Sequence, residues 1–257
     1  MERKEELRTI PHLLGLIGYP LSHSFSKKYF ADKFAKENIS AYFYDLFPLE
    51  DISLFKELVA HYPNLKGINV TIPYKERVIP FLDALDDSAK AVGAVNTIKF
   101  TDKGLIGYNT DIYGFEVSLR NKMEEKRIKA KAALVLGTGG AAKASAAVLK
   151  KMGIAVQFVS RRAEKNMLTY EMLRKQNIEE VEIIVNTTPL GMSPNINTCP
   201  NIPYSALSEK HLLFDLVYNP EITLFLEQGN AQGAATLNGL EMLHLQAEKA
   251  WSIWQEK

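Results

Sequence analysis

The chemistry most plainly written in this chain is the holding of phosphate. The apolar run Ala132-Ala133-Leu134-Val135-Leu136 leads straight into Gly137-Thr138-Gly139-Gly140-Ala141-Ala142, which fits the G-x-G-x-x-A form of a dinucleotide-binding turn. Gly137 permits the tight turn, Gly139 lets the backbone approach a pyrophosphate, and Ala142 lets the following helix pack close to its strand. Backbone N–H groups at Gly139, Gly140 and Ala141 then meet the phosphates at the positive end of that helix. The alternative is a glycine turn that merely joins strand to helix. The strand before it and the Ala-rich helical stretch behind it favour the nucleotide.

The end of the next strand selects between nicotinamide cofactors. A carboxylate there accepts hydrogen bonds from a ribose 2′-hydroxyl, as NAD requires, and repels a 2′-phosphate. Here the residues are Val159-Ser160-Arg161-Arg162, with no Asp or Glu. An arginine offers a forked, charge-assisted grip on phosphate. The turn therefore predicts NADP(H), with Ser160, Arg161 and Lys165 as contacts and Arg162 as a further candidate. A solvated basic turn is the plainer alternative, because arginine is mostly exposed.

Four other segments are too polar for their apolar surroundings: His23-Ser24-Phe25-Ser26, Asn69-Val70-Thr71-Ile72-Pro73-Tyr74-Lys75, Gly93-Ala94-Val95-Asn96-Thr97 and Asn109-Thr110-Asp111. Each lies at or just past the end of a predicted strand, where open α/β sheets gather their ligands. Any one of these Ser, Thr or Asn residues alone reads as a cap or turn. As a set they read as a site for a small molecule with many donors and acceptors.

Those segments need elements to hold them. Residues 12–18, 41–47 and 65–71 read as strands, with helical patterns over 24–37 and 50–60 between them. Strands joined through helices require crossover connections and so a mostly parallel sheet. A hairpin over 94–100 and 105–108 turns at Asp102, Lys103 and Gly104. A helix over 110–126, capped by Thr110 or Asp111, leads out of this first part. The alternation then restarts with a strand over 132–136, a helix over 140–152, strands over 156–160, 181–186, 212–217 and 234–237, and a last helix over 240–256. The fold class is α/β in two domains, the second Rossmann-like.

Composition narrows the function classes. With 31 Lys and Arg against 30 Asp and Glu, no net field recruits nucleic acid or an anionic membrane. Cys199 is the single cysteine, which excludes an internal disulfide and a multi-thiolate metal site and suits a reducing cytoplasm. Nothing beside Cys199 activates it as a nucleophile. The histidines His12, His23, His61, His211 and His244 lack the close spacing of zinc ligands, so no metal is expected. The first residues lack the apolar run of a secretory signal, and no stretch has the length of a membrane span. Oligomeric state stays open between monomer and homodimer.

Taken with Asp215-Leu216-Val217-Tyr218-Asn219-Pro220 and Gly239-Leu240-Glu241-Met242-Leu243-His244-Leu245-Gln246, the motifs resemble the shikimate dehydrogenase family in order and spacing from near residue 12 to the C-terminus. The resemblance implies NADP-dependent, reversible reduction of 3-dehydroshikimate to shikimate on the chorismate route to aromatic amino acids. It assigns Ser24 and Ser26 to the substrate carboxylate, Asn69, Thr71, Asn96 and Gln246 to the ring hydroxyls, and Tyr218 to the carboxylate side. Lys75 and Asp111 receive the chemical step, and Thr187 and Gly239 join the cofactor contacts. The residue types leave open whether Lys75 enters as ammonium or as free amine. The implied domains are a substrate-binding part, 1–110 with 238–257, and a Rossmann-like NADP-binding part, 111–237.

The chain departs from the family pattern in two places. The family commonly follows the serine pair with Pro and, a few residues on, His, whereas Ser26 here precedes Lys27-Lys28-Tyr29-Phe30. The stretch 161–186 is also short, with room for one helix and one strand, so the cofactor domain is expected to lack an element and to be more open on the adenine side. The competing readings are a quinate or broad-specificity shikimate dehydrogenase using NAD, and a silent sensor of nicotinamide or of a shikimate-like acid. The methylenetetrahydrofolate dehydrogenase group is a third, but its expected tyrosine and lysine arrangement is missing.

Overall fold

The computed structural model describes residues 2–21, 24–162 and 165–256, and His23 lies outside them. The chain divides into two compact units, one made of the residues up to Thr110 and those from Ala247 on, the other of Asp111–Gln246.

The first unit runs α1 (Glu2–Thr9), β1 (His12–Gly18), α2 (Phe25–Lys36), β2 (Tyr42–Pro48), α3 (Phe55–His61), β3 (Leu65–Val70), β4 (Ala84–Leu85), α4 (Asp87–Val92), β5 (Thr97–Thr101) and β6 (Gly104–Tyr108). Its sheet has the order β2-β1-β3-β5-β6-β4. Strands β1, β2 and β3 are parallel, while β3–β5 and β5–β6 are antiparallel. Strand β1 is apolar at nearly every position because both of its faces are covered. Leu13 and Ile17 face a core with Phe47, Phe55 and Tyr62. Leu14 and Leu16 face a second core with Phe30, Tyr44 and Trp254.

The second unit continues with α5 (Thr110–Glu125), β7 (Ala132–Leu136), α6 (Gly140–Lys151), β8 (Ala155–Ser160), β9 (Met167–Thr169), α7 (Lys175–Glu179), β10 (Ile183–Asn186), β11 (Leu212–Asp215), α8 (Leu224–Ala231), β12 (Ala235–Leu237) and α9 (Leu240–Gln255). Helices α5 and α9 both run across the division, at Thr110 and Gln246. All its strand pairs are parallel, in the order β12-β11-β10-β7-β8-β9. The chain leaves β7 toward β8 on one side and returns to β10 on the other. That reversal opens a crevice at the carboxyl ends of β7 and β10.

Several sequence expectations need correction. Helices α1, α4 and α8 and the short strands β4 and β9 lie outside the sequence expectations, being too brief or too polar for a periodic signal. The stretch 161–186 holds β9, α7 and β10 instead of one helix and one strand, since three residues of β9 suffice to extend the sheet edge. Thr110 is the first residue of α5, and the Asn96 side-chain oxygen accepts its N–H at 2.7 Å. The units divide at Gln246 and not near 238. The first turns of α9 pack on α5, where Asn121 donates to Glu241 at 2.8 Å and Gly114 lies against Met242.

Trp254 fastens the end of α9 to the first sheet. Its Nε1 donates to the Ile98 carbonyl at 3.0 Å, and a Cβ added at Gly67 would fall within the indole. Gly67→Ala is therefore expected to cost about 1–3 kcal/mol of unfolding free energy by overpacking. Urea denaturation measures it, and an unchanged midpoint would mean that the indole steps aside freely.

Candidate functional site

In the first unit the polar residues collect beyond the carboxyl ends of β1 and β3, next to the amino end of the antiparallel β5. Asn69 is opposite Thr97 in the ladder, so buried polar side chains from two strands meet. The Asn69 amide donates to the Asn96 carbonyl and to Thr97 Oγ1, both at 3.1 Å, and its oxygen accepts from Tyr44 Oη at 2.8 Å. Asn96 in turn donates to Thr110 Oγ1 at 3.0 Å. Burial pushes the pKa of the Tyr44 phenol far above its ordinary value. Tyr44, Asn69, Asn96, Thr97 and Thr110 thus form one connected network.

Ser24 precedes α2 in extended backbone, the ordinary position of a capping serine, yet it makes no cap bond. Its hydroxyl is buried without a partner among the described residues. Thr71 and Lys75 lie in the turn after β3. That turn is anchored by Tyr74, which is 1% exposed and donates to the Leu49 carbonyl at 2.6 Å. The Lys75 carbonyl accepts the Val95 N–H at 2.7 Å, which fixes the backbone from which the half-buried lysine projects.

In the second unit the glycine turn borders a cavity of about 600 Å³, walled by Gly137, Gly139, Ser160, Arg161, Tyr170 and Thr187 among others. Gly137 has φ +113°, a conformation that L side chains avoid. An added Cβ there would also strike Thr187 Oγ1, which donates to the Leu136 carbonyl at 2.6 Å. At Gly139, by contrast, an added Cβ would meet no atom within 4 Å. It would occupy open space over the start of α6, where Gly139 supplies no side-chain cap and Gly140 and Ala141 are exposed. A pyrophosphate fits that space, with first-turn N–H groups to receive it. No carboxylate stands on the cavity wall among the described residues, and both Arg161 and Arg162 do.

Other expected site residues are placed less directly. Ser160 Oγ accepts its neighbour's N–H, that of Arg162, at 3.1 Å. Lys165 is exposed and is not on the cavity wall. Gly239 is required by packing, because a Cβ there would strike the Leu216 carbonyl. Asp111, Tyr218 and Gln246 belong to the second unit: Asp111 in the first turn of α5, Tyr218 exposed after β11, Gln246 packed on Gly114. Sequence reasoning missed Tyr44, Tyr170 and Thr188. Tyr44 sits in an aromatic strand that reads as plain core, and Tyr170 follows the unforeseen β9. Among the described residues no cluster of His, Cys, Asp and Glu could hold a metal, and no helix is long and apolar enough to cross a membrane.

Asp215 ends β11 and is wholly buried. It accepts from Asn186 at 2.9 Å, from the Val217 N–H at 3.0 Å and from Thr223 at 2.5 Å. Burial nevertheless dominates these three donors and raises its pKa from 3.8 to about 6. The folded state then binds this proton more tightly than the unfolded one, so the contribution of Asp215 to stability is fully present below pH 3.8 and is lost as pH rises through about 6. The loss from this group is on the order of 3 kcal/mol. Denaturant unfolding at pH values from 4 to 7 should show Asp215→Asn with a flatter profile than the parent chain. Parallel profiles would remove Asp215 as the source.

Residues 16–98 match the model of the shikimate dehydrogenase substrate binding domain. The chain is 42% identical to a shikimate dehydrogenase (NADP(+)) of Clostridium beijerinckii, over 94% of this chain and 91% of the relative. It is 36% identical to one of Desulforamulus reducens, over 93% and 88%. A solved shikimate dehydrogenase in complex with NADP+ superposes with a TM-score of 0.85 at 33% identity, covering 95% of this chain and 90% of that one. With a buried amide network after β3, an arginine-edged glycine cavity after β7, and this identity over more than nine-tenths of its length, the chain belongs to the shikimate dehydrogenase family.

Proposed function

We propose that this chain is an NADP-dependent shikimate dehydrogenase that reversibly reduces 3-dehydroshikimate to shikimate, a step of chorismate and aromatic amino acid biosynthesis. The observation that carries the choice of cofactor is the cavity beside Gly137, edged by Arg161 and Arg162 and free of carboxylates among its described residues. Arginine there complements a 2′-phosphate, which a carboxylate would repel. The residues up to Thr110 supply the substrate side and the glycine-turn unit the cofactor side. The enzyme works in the cytoplasm as a monomer or homodimer.

NADPH, when bound, would supply the hydride that reduces the ketone carbon. The chain's own residues handle everything else. The oxygen of that ketone gains negative charge and must be stabilised and then protonated. Lys75 gives both, from a backbone pinned by Val95 and Tyr74, and Asp111 is the acidic partner in the proton transfer. Ser24, with its unspent buried hydroxyl, and Ser26 take the substrate carboxylate. Thr71, Asn96, Gln246 and the remaining acceptor capacity of Asn69 order the ring hydroxyls, with Tyr218 at the acid side. An analogue lacking a hydroxyl leaves buried polar groups unpaired, which is how such a site discriminates.

The direct assay is NADP+-dependent oxidation of shikimate, with quinate and NAD+ as comparators. Tight binding of both ligands without turnover would identify a sensor and reject the enzyme. Lys75→Ala is expected to lower kcat by about 10²–10⁴ while NADP+ still binds, and an unaltered kcat would take Lys75 out of the reaction. Arg161→Ala should raise the KM for NADP+ by about tenfold to a hundredfold, the worth of a hydrogen bond to a charged group. The KM for NAD+ should stay put, and equal shifts for the two cofactors would defeat the 2′-phosphate assignment.

A further inference from the structure

Lys27 is an odd residue for its place. It stands in the first turn of α2, which contains no acidic side chain, and there a positive charge opposes the helix dipole. Its ammonium reaches Asp45 Oδ1 at 2.5 Å. Along β2 the side chains alternate: Tyr44 packs with Phe30 on the α2 face, while Phe47 packs with Leu13 and Tyr62 on the other. Asp45 shares the face of Phe47, since its position differs from that residue's by two. Strand β2 is the edge of its sheet. The lysine therefore leaves a helix on one face, passes around the sheet edge and pairs with a carboxylate on the opposite face.

That carboxylate is held. Its side chain is 5% exposed, and Oδ1 also accepts the Leu46 N–H at 2.9 Å. A charge this deeply buried demands a partner. The lysine stem is thus fastened at its far end, and with it the start of α2, which contains Ser26 and directly follows Ser24. Ser24 and Ser26 are three and one residues from the lysine, on either side of Phe25. Ser24 has no side-chain cap bond and keeps its hydroxyl unspent; its N–H donates to the Leu21 carbonyl at 3.3 Å on one side, and on the other its position follows the start of α2.

We infer that Lys27 is a positioning residue for substrate binding: its ion pair with Asp45 around the edge of β2 clamps the start of α2 and sets the Ser24 and Ser26 hydroxyls toward the substrate's carboxylate. This rests on the dehydrogenase reading above. The ammonium works through the serines and is spent on Asp45, so it does not itself receive the substrate.

The test compares Lys27→Met, Lys27→Arg and Asp45→Asn in the full chain. Shikimate affinity is read by calorimetry, and kcat and the KM for NADP+ by the oxidation assay. Asp45→Asn keeps the side chain's size and removes the need for a counter-charge, so it remains informative if Lys27→Met folds poorly. Lys27→Met and Asp45→Asn are each expected to weaken shikimate by about tenfold, with the KM for NADP+ and kcat within about twofold of the parent, as loss of uniform binding requires. Lys27→Arg, which keeps the pair, should bind shikimate like the parent. Tighter shikimate binding by Asp45→Asn would overturn the clamp, because it would mean that a freed ammonium captures the acid directly. Unchanged shikimate affinity in both pair-breaking variants, or equal losses for shikimate and NADP+, would overturn it as well. A parent chain that oxidises shikimate alongside such results loses only the clamp, whereas one that neither binds nor oxidises shikimate loses the dehydrogenase reading too.

Discussion

A buried amide has no water to fall back on and must find its partners in the protein, and each sheet of this chain ends its ligand-facing loops on such amides. In the first unit Asn69 and Asn96 join β3, β5 and the start of α5. In the second, Asn186 at the end of β10 donates to Asp215 and accepts from the N–H and hydroxyl of Thr188, the latter at 2.6 Å. Loops that would otherwise be free are thereby held to within hydrogen-bond geometry. The cost of leaving any member unpaired, about 1–3 kcal/mol, is what makes the arrangement rigid.

The same constraint explains why the two polar collections occur where they do. In both sheets the chain leaves a central strand in one direction and returns on its other side, at β1 and β3 and at β7 and β10. Loops diverge at these points and leave space beyond the strand ends. Buried polar side chains need partners, and Asn69, Thr97, Asn186 and Asp215 lie at or next to strand ends, where neighbouring loops can satisfy them, while Asp45 within β2 takes the Lys27 ammonium instead. Packing and chemistry therefore select the same positions. Gly15, Gly67 and Gly239 show the complementary limit, where close approach of a side chain or backbone leaves no room for Cβ.

Much of this was legible from residue types alone. The strand ending in Leu136, the positive-φ glycine after it and the arginine turn after Ser160 have local causes, and each appears in the structure where the pattern puts it. The early alternation of strands and helices has the same character. Partnerships across the sequence were not legible. Nothing around Tyr44 announces that its phenol meets Asn69, twenty-five residues on, or that Asn96 serves the N–H of Thr110. Short elements escaped for a different reason: the three residues of β9 and the six of α4 are too few to show a period. They form because the neighbouring strand or helix is already there to receive them.

The distinction between spent and unspent groups orders the site residues more sharply than their types do. Both donors of Asn69 are committed within the protein, and Ser160 is turned back on the Arg162 N–H. Such residues shape a site by holding others still. Ser24 is the reverse case, a buried hydroxyl in capping position that caps nothing. The start of α6 is similar, since Gly139 offers no side chain to its first-turn N–H groups and faces open space. Folding offers no return for leaving such groups unmatched. Their persistence at the ends of β1 and β7 has its counterpart in the two anions that the proposed reaction brings there, a carboxylate to the serines and a pyrophosphate to the glycines.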